Sequence, residues 1–466
     1  MAHVSPSNLL SLHNKSYLQT SGLRYTPSER YSYGSGAKVV PDPSLFNDLK
    51  NQSPNALPTI SECAVHLEML EVFHTLRQNV IHSPELDVAF NIQQKPRTVY
   101  RKKWDGAKYV AEPKTLKDTG FGDRRKTKWT HFLSIAAVRF HDWIELVEKY
   151  SKERKLGTPQ LRYLLLPPLD VLMIWHAFLL NCDDFKEYCE RKELRLVQKI
   201  AFPWADIHNA INSDTWTYTL PPEHADWLRD TAKIDANLVD ALSAAGQRQG
   251  AAKQILAAFR KEIFKKNEDP DPLTRTIHTA RENKSHNHPL VQNVERQCIF
   301  VDKMHAHRLI RSPAVEGTMR RAIDRYDKFL HLFRFYPNIF LVPTLDVDLV
   351  WHTHQCSAEH YRHFVTERVG RFINHDDKIG RKTLNDGFTS AEEWYRLRYG
   401  ERYQVCLCWS CEAILSAVEK LDEDILDGNE PPVSDLAHQV EREVHYYREL
   451  EVARRLDRKL PVWSHK

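Results

Sequence analysis

The chain has 466 residues, enough to bury a large core and to form two or three domains. Apolar residues make up 42%, only 15 residues are glycine, and 66 basic against 62 acidic residues leave a net charge of +4. That balance speaks against a dedicated nucleic-acid binder, the scarcity of glycine leans the chain towards helix, and no run of about 18 apolar residues is there to insert into a membrane.

Residues 1–57 are rich in Ser, Pro, Tyr and Asn, lack periodicity, and are expected to form a disordered arm. No basic segment followed by an apolar one opens the chain, so no secretory signal is read and an intracellular, cytoplasmic location is expected. The eight cysteines are accordingly taken as reduced thiols or metal ligands. A helix is predicted from Thr59 to His82, with Val65, Met69, Val72 and Leu76 at helical spacing. Residues 91–128 are basic and broken by Pro and Gly. Tyr, Val and Trp alternate there with Arg and Lys about Asp105-Gly106, the pattern of an exposed hairpin: a solvated loop, or a patch for an anionic partner. Residues 129–150 predict an amphipathic helix with Phe132, Ile135, Phe140 and Trp143 on one side.

The most specific pattern occurs twice. LLPPLDVLMIWHAFLLNCDDFKEYC begins at Leu165, and LVPTLDVDLVWHTHQCSAEHYRHF begins at Leu341. Asp170, Trp175, His176 and Phe185 match Asp346, Trp351, His352 and Tyr361 at one offset. Upstream, Arg139-Phe140-x-x-Trp143 matches Arg325-Tyr326-x-x-Phe329. The repeat unit therefore reads as helix, loop, proline turn, helix. In the second unit Thr344 stands where a hydroxyl can cap the helix, and Asp346 lies in its first turn, where negative charge is favoured.

The fold expected is mainly α: two related helical units packed as one body, with the disordered arm in front. The units span 58–235 and 291–430. Between them runs a helical linker, 236–290, with a helix over 237–265 and then a polar stretch. A C-terminal helix occupies 431–466.

At Val342–Gln355, VPTLDVDLVWHTHQ, the residues carry a family resemblance, extended by FVDKMHAH (300–307), RSPAVEGT (311–318), NHDDK (374–378) and CLCWSCE (406–412). Together they resemble the glycine-rich domain-containing protein-like family of plants and fungi. The family is largely uncharacterised. Plant members are associated with stress responses and development and with a proposed RNA-binding segment. Fungal members carry a label resembling a 2-oxoglutarate-dependent sulfonate dioxygenase. With 15 glycines this chain has no glycine-rich tract, and it shows no base-stacking signature of a sheet-based RNA binder.

Three groups of residues could carry chemistry. On the second Trp-His helix Asp348, His352 and Cys356 fall one turn apart on one face, where a carboxylate can orient an imidazole and His and Cys can take a metal. His354 lies about 200° round the helix from His352. The shared residues Asp170, Trp175, His176, Asp346 and Trp351 favour a structural role, an Asp at a helix start and a Trp-His pair packed between helices. Cys406, Cys408 and Cys411 form a thiol cluster with His375 or Cys356 as candidate fourth zinc ligand. His305 and His307, with His375-Asp376-Asp377, are candidates to join the His352 site. A dioxygenase needs His-x-Asp/Glu with a distant His. His66-x-Glu68 and His224-x-Asp226 match its short part, but no jelly-roll pattern supports them.

These features favour an interaction or regulatory protein whose partner is a protein, without membrane insertion and with nucleic acid disfavoured. The alternative is a metal-dependent enzyme, oxidative and of secondary metabolism, built on the Trp-His-x-His site with zinc, iron or copper as the candidate metal.

Overall fold

Thr59 starts the first long helix. Its hydroxyl accepts from Glu62 N at 3.1 Å while the Glu62 carboxylate accepts from Thr59 N at 2.8 Å, a reciprocal cap. The helix, α1 (Ile60–His82), stops where Ser83 caps the short α2 (Pro84–Ala89). Every residue from Cys63 to Phe73 is buried, so α1 is enclosed on all sides rather than one-faced as its spacing suggested. Its buried polar groups are all partnered: Glu68 with His208 at 2.6 Å, Glu71 with His305 at 2.7 Å, and His66 as described below. The structure is a computed structural model that describes residues 39–50, 56–153, 166–247, 271–282, 288–375, 378–424 and 433–462.

After the hairpin β1 (Arg97–Trp104) and β2 (Tyr109–Leu116) come α3 (Phe121–Glu153), α4 (Leu169–Leu179), α5 (Cys182–Arg191) and α6 (Trp204–Ala210). A two-residue ribbon, β3 (Ile211–Asn212) and β4 (Thr217–Tyr218), precedes α7 (Pro222–Trp227), α8 (Leu238–Gln247), α9 (Pro272–Glu282) and α10 (Pro289–His307). The rest is α11 (Val315–Phe335), α12 (Leu345–Gln355), α13 (Ala358–Val369), α14 (Arg381–Tyr399), α15 (Trp409–Asp424) and α16 (Val433–Arg455). The fold is mainly α. Among the described residues strand is confined to the two antiparallel ribbons. No described helix is long and apolar enough to cross a membrane.

One apolar core runs from Leu45 to Leu407 and takes in both expected units, which therefore pack as one body. The units meet through α1 of the first and α10 of the second. α1 packs on α3, α10, α11 and α12, and α10 packs on α3 and α4. A second, smaller cluster joins Val40 and Ala314 to Trp409 of α15 and to Val440, Val444 and Tyr447 of α16.

The two Trp-His helices, α4 and α12, are fastened in the same manner. Arg139 of α3 donates from Nε to Asp170 Oδ2 at 2.7 Å and from Nη2 to Asp170 Oδ1 at 3.3 Å. Arg325 of α11 donates from Nε to Asp346 Oδ2 at 2.7 Å. All four side chains are buried, and each guanidinium has further acceptors: Asp235 O for Arg139, Arg402 O and Tyr403 O for Arg325. Thr344 does precede α12, but its hydroxyl accepts from Arg325 Nη2 at 3.1 Å and caps no amide. The expected capping role thus gives way to the guanidinium, which is the stronger donor.

Several expectations change. Most of the expected arm, 1–57, lies outside the described residues, but Pro43–Lys50 is a 3-10 helix that packs on α1, with Leu45 O accepting from Ser61 Oγ at 2.6 Å. Of the expected helix 237–265, only α8 falls among the described residues. The polar stretch expected after it contains α9, which packs against α3. α9 forms there because Asp271 caps it, accepting from Thr274 N at 3.1 Å, and because Ile277 and Ala280 find the core.

Breaking either buried clamp leaves an uncompensated charge. Asp170→Ala and Asp346→Ala should each cost about 3–5 kcal/mol in urea unfolding, while replacing the whole pair (Arg139→Met with Asp170→Leu) should recover most of the loss. A loss below about 1 kcal/mol would show that the pair does not hold the helix.

Candidate functional site

Three helices meet at His66. Its Nδ1 is 2.8 Å from Thr353 Oγ1 of α12, and its Nε2 is 2.9 Å from Nε2 of His176 on α4. Thr353 donates its own hydroxyl proton to Leu349 O at 2.8 Å, so its oxygen is the acceptor and His66 carries the proton on Nδ1. His66 Nε2 then accepts, and His176 donates from Nε2. Burial holds these rings neutral, aided at His66 by His176 and then His352 and at His176 by His352: His176 is pushed down to about 3 and His66 well below its ordinary value. The first Trp-His pair is thus internal. Trp175 packs against Trp143 and Phe202 with ring centroids 5.3 and 5.0 Å away.

The second pair has a different environment. His352 is one turn after Asp348, and a loop after α13 brings His375 against both. His352 Nε2 is 3.1 Å from His375 Nε2 and 3.3 Å from Asp348 Oδ1, and His375 Nε2 is 3.7 Å from the same oxygen. One atom from each of two imidazoles and a carboxylate therefore lies within 4.8 Å of the other two. A triangle with these sides has a circumradius of about 2 Å, the length of a metal–imidazole or metal–carboxylate bond. The side chain of His352 is 2% exposed, that of His375 12% and that of Asp348 22%, while the Asp348 oxygen that faces the two rings is itself buried. Burial pushes the Asp348 carboxyl up, but His352 and His375 outweigh it and hold it below the usual range.

The second tryptophan helps deliver the third side chain. Trp351 Nε1 donates to Tyr361 OH at 2.7 Å, and Tyr361 donates to Ile373 O at 2.6 Å, two residues before His375. The Trp351 ring also meets the His375 ring edge-on at 5.1 Å. In the first unit Phe185 stands where Tyr361 does, so that relay has no counterpart there.

The remaining predicted residues do not join this centre. His354 faces the other way, as its angle on the helix implied, with Nδ1 3.1 Å from Tyr326 OH and its ring against Tyr361 and Phe364. Cys356 is sealed in the core, where burial pushes its thiol far up. His305 stacks on His74 at 3.6 Å and pairs with Glu71, and the His307 carbonyl accepts from Trp409 Nε1 at 2.9 Å. Asp376 and Asp377 lie outside the described residues. His66 and Glu68 diverge to separate partners, and Asp226 pairs with Arg229, so neither dioxygenase-type pattern chelates.

Cys406, Cys408 and Cys411 do converge, with sulfur atoms all within 4.8 Å of one another. Neither His375 nor Cys356 is among them. A hydrogen bond from Cys406 is the main reason the Cys408 thiol is pulled down to about 5.

Residues 229–364 match the family model described as glycine-rich domain-containing protein-like. Two curated relatives from Arabidopsis thaliana are similar to the chain: glycine-rich domain-containing protein 2, 25% identical over 276 residues, and protein 1, 25% identical over 274. Each alignment covers 56% of this chain and 28% of the relative, so the chain spans little more than a quarter of the length of the proteins it matches. The resemblance read from the Trp-His motif is thereby supported. The matched segment holds Asp348 and His352 and ends before His375. No solved structure matches the chain.

The neutral rings at His66 and His176 make stability depend on pH. Their folded values lie below the unfolded value near 6.5, so the unfolded chain binds more protons. The stabilisation is complete above about pH 6.5 and is lost as pH falls, by up to about 1.4 kcal/mol per unit for each ring. Urea midpoints between pH 7 and 5 should therefore fall more steeply for the native chain than for His66→Leu/His176→Leu. Equal slopes would mean that these imidazoles are not held neutral.

Proposed function

We propose that this relative of the glycine-rich domain-containing proteins binds one transition-metal ion, iron(II) or zinc, through Asp348, His352 and His375, as a metal-dependent enzyme centre. The observation that carries the reading is the triangle of Nε2, Nε2 and Oδ1 atoms with a common point about 2 Å away. Three protein ligands leave coordination positions for water or substrate, the form that catalytic centres take. A cation held there would act as a Lewis acid, and two histidines with one carboxylate also suit oxidative chemistry. The protein's own contributions are distinct. Asp348 supplies charge, the helix fixes its spacing to His352, and the Trp351–Tyr361–Ile373 relay fixes His375. We further propose that the two helical units are an internal duplication in which only the second acquired a centre. The matching Arg-Asp clamps support this, as do Leu172, Ala177 and Phe185 in the places of Asp348, Thr353 and Tyr361. An intracellular, cytoplasmic setting fits the free thiols Cys63, Cys182, Cys189 and Cys356 buried in the core.

A second reading, an interaction protein with a protein partner, is favoured by the β1–β2 hairpin. Its strands are exposed except at the half-buried Val99 and Leu116. The register puts Tyr100 opposite Pro113 and Trp104 opposite Tyr109 on one face, with Lys102 between them. Large exposed aromatics beside basic groups suit a surface that docks a partner.

Metal analysis of the purified full chain tests the first reading. One equivalent should be absent from His352→Ala and His375→Ala and retained in Cys408→Ser. Tyr361→Phe should stay folded and bind the ion about 10–100-fold more weakly, as loss of an orienting group does. Unchanged metal content in both histidine variants would leave the interaction reading standing. That reading expects Trp104→Ser/Tyr109→Ser to change stability by less than about 0.5 kcal/mol while weakening partner binding in pull-downs.

A further inference from the structure

We propose that Cys406, Cys408 and Cys411 form a second, independent metal site, a three-thiolate cradle for a soft d10 cation, zinc(II) or copper(I), at the start of α15. The sulfur atoms already lie within 4.8 Å of one another. About a metal with bonds of about 2.3 Å, three sulfurs sit about 3.8–4.0 Å apart, so closing on an ion requires less than about an ångström of movement. The backbone is shaped for this. Leu407 is in the left-handed region at φ 54°, a conformation unfavourable for a branched residue, and its buried side chain anchors it in the main core. That turn places Cys406 and Cys408 on the same side, and one turn of helix then returns Cys411 to them.

The surroundings suit a thiolate at Cys408. Cys408 is the last residue before α15, and its sulfur accepts from Cys411 N at 3.5 Å, at a helix start where negative charge is favoured. Arg448 of α16 reaches Ser410 Oγ at 3.3 Å, which brings a guanidinium to the same turn. The neighbouring carboxylate does not join the set. Glu412 is turned into the protein, where it accepts from Arg321 Nη2 at 2.5 Å and from Thr318 Oγ1 at 3.0 Å. The donor set is therefore sulfur only, which selects soft cations over magnesium or calcium. Cys411 is exposed and the other two are half-buried, so an ion can enter from solvent. Copper(I) is satisfied by three thiolates, and zinc would complete its shell with water. The frame is rigid, because Trp409 is buried and donates to His307 O, tying the start of α15 to the end of α10.

The test is cobalt(II) titration of the reduced full chain under anaerobic conditions. Binding should give a near-ultraviolet thiolate-to-cobalt charge-transfer band saturating at one equivalent. The band should fall by about a third in Cys411→Ser and vanish in the triple serine variant, since its strength follows the number of sulfur ligands. His352→Ala should leave it intact, because the Asp348 centre has no sulfur; loss of either site is thus read separately. Displacement by zinc(II) in one arm and by chelator-buffered copper(I) in the other identifies the cation. Helical circular dichroism checks that the variants fold. No charge-transfer band, or one that survives in the triple variant, would overturn the proposal. So would a Cys408–Cys411 disulfide that persists in reductant and leaves no thiolate set to bind.

Discussion

Two buried ion pairs determine where everything else can sit. Arg139–Asp170 and Arg325–Asp346 each lock the first turn of a short apolar helix to the long helix before it. Neither pair adds much net stability over an apolar isostere, because desolvation offsets attraction. What the pairs supply is register. A carboxylate in the first turn that must meet one guanidinium fixes both the rotation and the height of the helix that follows. On a helix of eleven residues, that choice decides which way the indole and imidazole of the Trp-His motif point.

The same frame then serves two ends. In α4 the motif faces inward on every side. His176 meets His66, Trp175 meets Trp143 and Phe202, and apolar Leu172 stands where α12 has Asp348. In the second unit two positions of α12 and one of α13 differ and change the chemistry. Asp348 adds a carboxylate one turn before the imidazole. Thr353, in the place of Ala177, gives the core histidine an acceptor. Tyr361, in the place of Phe185, gives Trp351 a hydroxyl through which to hold the following loop. A structural role for the motif and a metal-capable role are therefore not rivals for the whole chain. The first describes α4, and the second is proposed for α12.

Much of this was legible in the chain. The shared Asp, Trp and His positions showed at one offset and the Arg at another, the step of four from Asp348 to His352 put them on one face, and the angle to His354 made it a poor partner for His352 although it stayed a candidate. What could not be read has specific physical causes. His66 lies in an enclosed helix among apolar residues, and nothing local distinguishes a histidine that bridges two helices from one that fills space. His375 was a candidate for the site, but its approach depends on a loop that Tyr361 ties at Ile373 O, a contact of tertiary origin. Thr344 had the right type and place for a cap, but a buried guanidinium competes better for its oxygen than a backbone amide does. The glutamates and histidines of α1 hid its true setting, because buried polar residues that satisfy one another read as a solvated face.

α12 brings these strands together. From Leu349 to Cys356 every residue is buried, yet the helix has no single apolar face. Asp346 belongs to the Arg325 clamp, Asp348 and His352 to the candidate centre, Thr353 to the histidine junction, and Gln355 reaches back to Cys182 Sγ at 3.3 Å. Eleven residues are too few to hold a helix in water, so tertiary contacts must supply its stability. With each direction round the axis committed to a different polar partner, hardly any position can change without losing one of them. That is a physical reason for a short segment to carry so exact a pattern, and it explains why the pattern was readable at all: side chains that must each meet one particular partner leave a sharper trace in sequence than side chains that need only be apolar.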